Sequence, residues 1–256
     1  RTVVSIPALL IIITNLFFLN ISRHFGTRTI ALAGLMQYVA ASAGCFLADG
    51  HLGSANKRGI PFQPRQLVKF HPSVNGMLLL MMIFFIYPAN FTITAHEQMG
   101  LGLHTTTLIM VGLDLVAFFV GLVFGQLTEM FRTPIKYFAP MFFLVGYLCF
   151  AMAHSILPLL VGAVFTGFAN GVGVPYLNTI ASIKGGRNSA TTVMPLLSAS
   201  LYLGLFLSPV IVTPLARIVF GDSDVAGAYK IGIVFCAIFL VQVYTTRHYQ
   251  SLPPKE

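Results

Sequence analysis

Seven or eight stretches of this chain are apolar over the length of a bilayer-spanning helix, and little sequence remains for a water-soluble domain. Charged residues make up 9% of the chain, and the mean hydropathy is +0.84. A soluble domain of 256 residues has too little interior to bury so much apolar surface. The core of a bilayer accepts about 20 apolar residues per helix. The sequence therefore predicts an all-α, polytopic membrane protein whose first partner is the lipid bilayer.

A hydropathy window of about 19 residues predicts eight transmembrane helices. Their approximate bounds are 3–20, 30–48, 76–96, 104–126, 138–154, 156–180, 190–219 and 229–246. The one long polar stretch lies at 50–75 and is interpreted as a basic cytoplasmic linker. Span 190–219 contains Pro195, Pro209 and Pro214, which predict a tilted or kinked helix.

The distribution of charge predicts the orientation of the last six spans. The chain has 15 Lys and Arg against 7 Asp and Glu. These basic residues lie in short stretches between apolar segments, without the interleaved aromatic residues of a nucleic-acid surface. If linker 50–75 is cytoplasmic, only Arg217 and Lys230 fall on the opposite side. We therefore expect no nucleic-acid partner, and we expect the tail 251–256 to be cytoplasmic.

The first two spans conflict with this orientation. Loop 21–29 carries Arg23 and Arg28 and also favours the cytoplasm, yet only span 30–48 separates it from the basic linker. Either an odd number of helices is missing between the two loops, or loop 21–29 lies outside despite its charge. The chain begins with Arg1 and has no signal peptide pattern, which suggests that it was cut from a longer parent.

The sequence offers no pattern for an enzyme, a metal site or a cofactor. The three cysteines, Cys45, Cys149 and Cys236, lie in apolar segments without CxxC spacing. No HxxxH pair, GxSxG or HExxH is present. We therefore expect no catalytic residues, no bound metal and no cofactor.

Four motifs, in order, resemble a major facilitator superfamily transporter. Gly125-Gln-Leu-Thr-Glu129-Met-Phe-Arg132 is similar to that family's loop motif, Gly-x-Leu-x-Asp-Arg-x-Gly-Arg-Arg, and departs from it at Met130 and Arg132. Leu19-Asn-Ile-Ser-Arg23-His-Phe-Gly26-Thr-Arg28 resembles the first-half copy of the same motif. The Gly-rich run from Gly162 to Pro175 resembles the family's tenth helix. The run Gly204-Leu-Phe-Leu-Ser208-Pro209 resembles its eleventh helix.

The resemblance implies a bundle that is incomplete relative to the usual twelve helices. Segment 1–49 corresponds to helices two and three of the N-terminal half, and 76–250 corresponds to the C-terminal six-helix half. Helices one, four, five and six are then absent. Three of these, helices four, five and six, would lie between the two basic loops, which agrees with the odd number inferred from charge. The resemblance also implies cytoplasmic gating loops, formed by Arg23, Gly26, Arg28, Gly125, Glu129 and Arg132.

Asp114 is the clearest ionisable group at the predicted depth of the membrane centre. An acid inside a transmembrane helix is costly and commonly functional. Burial favours its protonated form, so Asp114 is a candidate for proton coupling or for contact with a substrate cation. The alternative is a buried carboxyl that is hydrogen-bonded to a neighbouring helix.

Further polar residues are candidates for the substrate cavity. Helical spacing places Tyr87, Asn90 and Thr94 along one face, and Pro88 there can free a backbone carbonyl. On the Gly-rich span, the glycines of Gly167-x-x-x-Gly171 are interpreted as a packing face. The candidates on that span are Asn170, Tyr176 and Asn178.

These features favour a secondary active transporter of small organic molecules in a bacterial inner (plasma) membrane. Proton-coupled efflux by alternating access is the expected mode, with a small-molecule substrate and protons as partners. The alternative is a truncated fragment that does not transport, or a membrane interaction partner. Oligomerisation would cover the face that a lone half-bundle leaves exposed.

Overall fold

The computed structural model describes residues 64–132, 134–221 and 224–249, and among these the side chains of 64–69, 185–192 and 195 are left undescribed. Predicted spans 3–20 and 30–48 lie outside these residues, as does the tail 251–256. The loop residues Arg23, Gly26 and Arg28 also lie outside them.

The described chain is helical throughout, without strands. Five helices follow one another: α1 (Pro64–Met99), α2 (Leu103–Met130), α3 (Ile135–Ala151), α4 (Ile156–Phe220) and α5 (Gly227–Thr245). Five segments are long and apolar enough to cross a membrane: Phe70–Met99, Leu103–Met130, Ile156–Lys184, Leu196–Phe220 and Gly227–Thr245. The prediction of an all-α membrane protein is confirmed, whereas the described residues supply five such spans and not the expected eight.

Helix α3 is the shortest of the apolar helices. It has 17 residues, which corresponds to about 25 Å of helix. That length lies at the lower limit for crossing a bilayer core of about 30 Å. It matches the predicted span 138–154 in position, but it is shorter than the other candidate spans.

The beginning of α1 differs from the expected linker, because residues 64–74 are already helical. Pro64 suits the first position of a helix, where its missing N–H is not needed. Phe70 and Ser73 are buried, whereas His71 and Asn75 are exposed. The polar composition of this stretch therefore reflects one solvent-facing side of an amphipathic helix end.

Helix α4 joins two predicted spans, 156–180 and 190–219, in one helical element. A straight helix of this length would extend about 97 Å, several times the thickness of a bilayer core. The helix must fold back, since Gly173 contacts Leu80 while a Cβ at Gly204 would lie 2.6 Å from the Leu78 carbonyl oxygen. Helix α4 thus has two arms that pack on α1, and we call Ile156–Lys184 the first arm and Leu196–Phe220 the second arm.

The contacts also show the directions of the two arms. Leu177 of the first arm packs on Gly76, on the N-terminal side of the Leu80 contact, so this arm is antiparallel to α1. In the second arm, the Ser208 hydroxyl donates a 2.8 Å hydrogen bond to the Met82 carbonyl oxygen, one turn beyond the glycine contact. The second arm is therefore parallel to α1 and antiparallel to the first arm.

Helix α5 closes the bundle in the opposite direction to α1. Its Gln242 side-chain amide donates a 3.0 Å hydrogen bond to the Pro72 carbonyl oxygen near the start of α1. Gly232 packs on Ile86, further along α1. Short connections reverse the chain between neighbouring helices, so the helix ends gather at two faces of the bundle.

One of these faces is rich in basic residues, and we call it the basic end. The Lys136 ammonium group donates a 3.1 Å hydrogen bond to the Arg247 carbonyl oxygen across it. The basic end contains Arg132, Lys136, Lys184 and Arg247. The opposite end carries the salt bridge between Lys230 and Asp224, with N and O atoms 2.6 Å apart.

Glycines allow α2 to approach the first arm of α4 closely. A Cβ at Gly167 would lie 2.6 Å from the Leu113 carbonyl oxygen, and one at Gly171 would lie 2.6 Å from that of Ala117. Small residues are typical of helix interfaces in membranes, where backbone approach replaces the hydrophobic driving force. The predicted packing role of Gly167 and Gly171 is confirmed, and α2 runs parallel to the first arm.

Candidate functional site

Asp114 lies near the middle of α2 and is half-buried. Its carboxyl group is within electrostatic range of the Tyr87 hydroxyl on α1. The packing contacts of α2 with the first arm of α4 run through Leu113, Val116 and Ala117. Asp114 is therefore a half-buried acid at the middle of α2, between these contacts and an electrostatic interaction with α1.

Tyr87 belongs to an aromatic cluster between α1, α3 and α5. Its ring stacks on Phe150 at a centroid distance of 5.1 Å and lies 4.5 Å from Phe91. Phe150 in turn lies 5.2 Å from Tyr229 and 6.0 Å from Tyr147. All five side chains are at most 1% exposed. Tyr87 is thus part of the packed core, and its buried hydroxyl is within electrostatic range of Asp114.

Asn90 and Thr94 use their polar groups on their own helix. The Asn90 amide donates a 2.8 Å hydrogen bond to the Ile86 carbonyl oxygen. The Thr94 hydroxyl donates a 3.1 Å hydrogen bond to the carbonyl oxygen of Asn90. Thr94 is buried and faces the Tyr229 hydroxyl, whereas Asn90 is half-buried. Both residues stabilise the part of α1 that follows Pro88. Both lie nearer than Asp114 to the end of the bundle that is opposite the basic end.

The three candidates on the first arm of α4 point in different directions. Tyr176 is 4% exposed and faces Tyr137 of α3. Asn178 lies two residues further, on nearly the opposite face of the helix, and lines a cavity. Asn170 is half-buried, with its amide oxygen inside the bundle. The structure therefore separates these residues, which the sequence had grouped.

A cavity of about 1060 Å³ lies between the C-terminal third of α2 and both arms of α4. It is open, because most of its lining residues are exposed or half-buried. Its walls are formed by Gly121, Leu122, Phe124, Gly125, Gln126, Thr128, Glu129, Pro175, Asn178, Thr179, Ser182, Ile183, Met194 and Ser198. Fold-back of α4 creates this space, since the first and second arms each supply a wall.

The cavity combines residues that the sequence had placed in different groups. Gly125 and Glu129 were expected in a gating loop, and Asn178 in the substrate cavity, yet all three line one space. Gly125 and Glu129 belong to α2 itself, which extends to Met130. Arg132 follows the helix end, is exposed, and is not among the lining residues.

Several polar residues of the wall were missed in the sequence: Gln126, Thr128, Thr179 and Ser182. Ser198, a weaker candidate by sequence, also lines the cavity. The signal of the missed residues is a polar stripe at helical spacing. Pro175, Asn178, Thr179 and Ser182 follow the i, i+3, i+4, i+7 pattern of one helix face. A search for polar faces, in place of isolated polar residues, would have found this wall.

The charge of the cavity wall is negative. Glu129 is the one charged residue among the described residues that line it. No ion pair of Glu129 occurs within the described ranges. Lys184, close by on the first arm, directs its ammonium group over the Tyr249 ring at 5.8 Å. Glu129 therefore brings a negative charge to the cavity at an otherwise basic end of the bundle.

No cluster of three potential metal ligands occurs in the described parts of the chain. The histidines His96, His104 and His154 are exposed at the end opposite to the basic end. The His96 ring nitrogen Nδ1 lies 3.5 Å from the Leu101 carbonyl oxygen, which stabilises the turn between α1 and α2.

Comparisons of the chain with protein-family models, with curated proteins and with solved structures found no match.

Proposed function

We propose that this protein is a secondary active transporter of small organic molecules, coupled to protons. The observation that carries the proposal is a large open cavity whose α2 wall belongs to the same helix as Asp114. Pockets of 300 to 1,000 Å³ are typical of small-molecule sites, and this cavity of about 1060 Å³ is at the upper limit of that range. Because the cavity wall and Asp114 belong to the same helix, movement of that helix would connect substrate entry with protonation of the acid.

Asp114 would carry the proton. A charged carboxylate is costly in a low-dielectric bundle, so it takes up a proton when closed off from water and releases it when hydrated. Motion of α2 against α1 would alternate these two environments, because the Asp114 carboxyl group is within electrostatic range of Tyr87 on α1. Substrate binding on the same helix would then be coupled to the proton state.

The orientation follows from the positive-inside rule. Arg132, Lys136, Lys184 and Arg247 gather at the basic end, which we therefore assign to the cytoplasm of a bacterial inner membrane. The cavity opens near this end, so the described state would face inward. The alternating directions of α1, α2, α3, both arms of α4, and α5 are compatible with a major facilitator half-bundle, which we propose as the architecture.

The second candidate is a fragment that does not transport and instead binds other membrane helices. The observation in its favour is that only 22% of the apolar window in α2, and 22% in the second arm of α4, is buried. These surfaces face outward with large apolar side chains such as Phe119 and Phe206. Lipid, further helices or a second copy could cover them.

Transport currents on a solid-supported membrane, measured together with proton flux, would decide between the two candidates. Proteoliposomes would receive an amine, an amino acid, a sugar, a nucleoside and an organic acid in turn, with and without a pH gradient. The transporter proposal predicts a proton-dependent current or a proton flux with at least one class, lost in Asp114→Asn at normal protein yield. The fragment would be favoured only if no class gave either a current or a proton flux across the liposome membrane, because one-for-one exchange of a proton for a cation carries no net charge. Unchanged transport in Asp114→Asn would remove this residue from the coupling.

A further inference from the structure

We propose that the cavity between α2 and the two arms of α4 binds an organic cation, with an apolar body and an ammonium group that pairs with Glu129. This inference rests on the proposed function and names the substrate class of its cavity. It is carried by the position of Glu129, the hydrogen bonds of the wall and the shape of the space.

Two sources of negative potential coincide at the mouth of the cavity. Among the lining residues that the structure describes, Glu129 is the one that is charged, on a chain whose formal net charge is +8. It lies in the last turn of α2, which ends at Met130 without a basic residue in that turn. Free carbonyl groups make a helix C-terminus negative, so a carboxylate there is unfavourable unless a cation joins it. A ligand cation would supply that charge.

The hydroxyl groups of the wall are arranged to accept hydrogen bonds. The Thr128 hydroxyl donates to the Phe124 carbonyl oxygen at 2.8 Å, and the Thr179 hydroxyl donates to that of Pro175 at 2.7 Å. Both protons are therefore used within the helices, and the oxygens keep lone pairs for a ligand. An ammonium group has donors only, which suits a wall with an excess of acceptors.

The remaining wall is apolar and fits a hydrocarbon or aromatic body. Leu122 and Phe124 of α2, Ile183 of the first arm and Met194, just before the second arm, contribute apolar side chains. Phe124 adds a ring face that attracts cations, and Met194 adapts to varied shapes. An organic anion would meet the Glu129 carboxylate, and no cation lies among the described lining residues to offset it, so we expect the site to discriminate by charge.

Three ligands with the same naphthylethyl body test whether the cavity prefers a cation. Their binding would be measured by equilibrium dialysis on the detergent-solubilised protein, and binding to protein-free micelles would be subtracted. The ligands are 2-(1-naphthyl)ethylammonium, the neutral 2-(1-naphthyl)ethanol and the anion 3-(1-naphthyl)propionate. We expect the ammonium to bind most tightly and the anion least tightly, with the difference reduced by added salt. Equal affinity of the anion and the ammonium would overturn the proposal.

Two kinds of variant locate the site. Glu129→Gln keeps the side-chain volume, and we expect it to weaken ammonium binding about fivefold while the alcohol binds as before. Gly125→Leu should abolish binding of both, because a Cβ at Gly125 meets no atom within 4 Å and the side chain would enter the cavity. Gly112→Leu on the same helix is the matched control, since its Cβ also has open space and Gly112 is not a lining residue.

Ser182→Phe blocks the opposite wall and replaces Gly125→Leu if that variant does not give a monodisperse protein. Unchanged ammonium affinity in Glu129→Gln, or in both blocking variants, would refute the site. Dialysis needs no gradient, so its outcome is separate from transport. Binding that maps to the cavity without any transport current or proton flux would reject only the transporter, whereas transport with binding outside the cavity would reject only this site.

Discussion

The two sides of the bundle are stabilised in different ways. Between α1, α3 and α5, five aromatic rings fill the interior, and the Tyr147 hydroxyl donates a hydrogen bond to the Ile83 carbonyl oxygen. Between α2 and α4, glycines bring the backbones together, and the space towards the basic end stays open. The aromatic side depends on large buried rings, whereas the glycine side depends on close backbone approach next to an open space.

The largest effect on stability should come from removal of a ring on the aromatic side. Phe150 is 0% exposed and contacts four other rings, so Phe150→Ala leaves a cavity. We expect a loss of about 3–5 kcal/mol in the free energy of unfolding, measured by denaturation in detergent micelles. Phe124→Ala on the cavity wall is the control, and it should cost far less because Phe124 is half-buried. Equal losses of stability in both variants would contradict the difference in packing between the aromatic side and the cavity side.

A smaller loss in the free energy of unfolding is expected when a larger side chain forces α2 and α4 apart. In Gly171→Val, the new side chain would meet the Ala117 carbonyl oxygen and the Val120 side chain. Overpacking of this kind costs about 1–3 kcal/mol, because the backbones must move apart. Gly112→Val is the control, because a Cβ at this helical position meets open space. Its free energy of unfolding should remain within about 0.5 kcal/mol of that of the parent protein. If both variants were equally stable, close glycine packing would not hold α2 on α4.

The hydrogen bond between α1 and the second arm should contribute still less to the free energy of unfolding. Ser208 is buried, and its hydroxyl is bonded to the Met82 carbonyl oxygen at 2.8 Å. Hydrogen bonds between membrane helices contribute about 0.6 kcal/mol on average, and that is the loss expected for Ser208→Ala. Ser200→Ala is the control, since the Ser200 hydroxyl bonds only within its own helix. A larger loss at Ser200 would contradict the assigned role of Ser208.

The smallest effect on stability is expected at the cavity wall. Glu129 is exposed and has no ion-pair partner among the residues described, so Glu129→Gln should change the free energy of unfolding by less than about 0.5 kcal/mol. A stability change above 1 kcal/mol would mean that the carboxylate is structural. Ligand affinity, and not stability, is the property that this residue should control.

The sequence carries the local features of this fold more fully than its tertiary ones. Hydropathy placed the helices, and the spacing of Gly167 and Gly171 predicted a packing face, because both depend on neighbouring residues along one chain segment. The fold-back of α4 depends on contacts of Gly173 and Gly204 with α1, far apart in sequence. Hydropathy separates two spans there but does not reveal that the backbone stays helical between them.

The sequence predicted only part of the candidate site, because the site also depends on contacts between distant segments. Asn178, Gly125 and Glu129 were chosen for separate motifs, and only the tertiary structure brings them to one cavity. Tyr87 was a reasonable cavity candidate by composition, yet its ring lies in the aromatic cluster. Which face of a helix turns inward is decided by its neighbours, and a single sequence does not contain that information for a helix that is apolar on all sides.

Thiol accessibility in membrane vesicles tests the open cavity most directly. Cys45, Cys149 and Cys236 would be replaced, and one cysteine would be placed at Asn178 in the cavity wall or at Ile86, which is buried on α1. A membrane-impermeant cationic thiol reagent should modify Asn178→Cys from the basic end, and 2-(1-naphthyl)ethylammonium should slow that reaction, while Ile86→Cys stays unmodified. An unreactive Asn178→Cys, or equal reactivity at both positions, would contradict a water-filled cavity between α2 and α4.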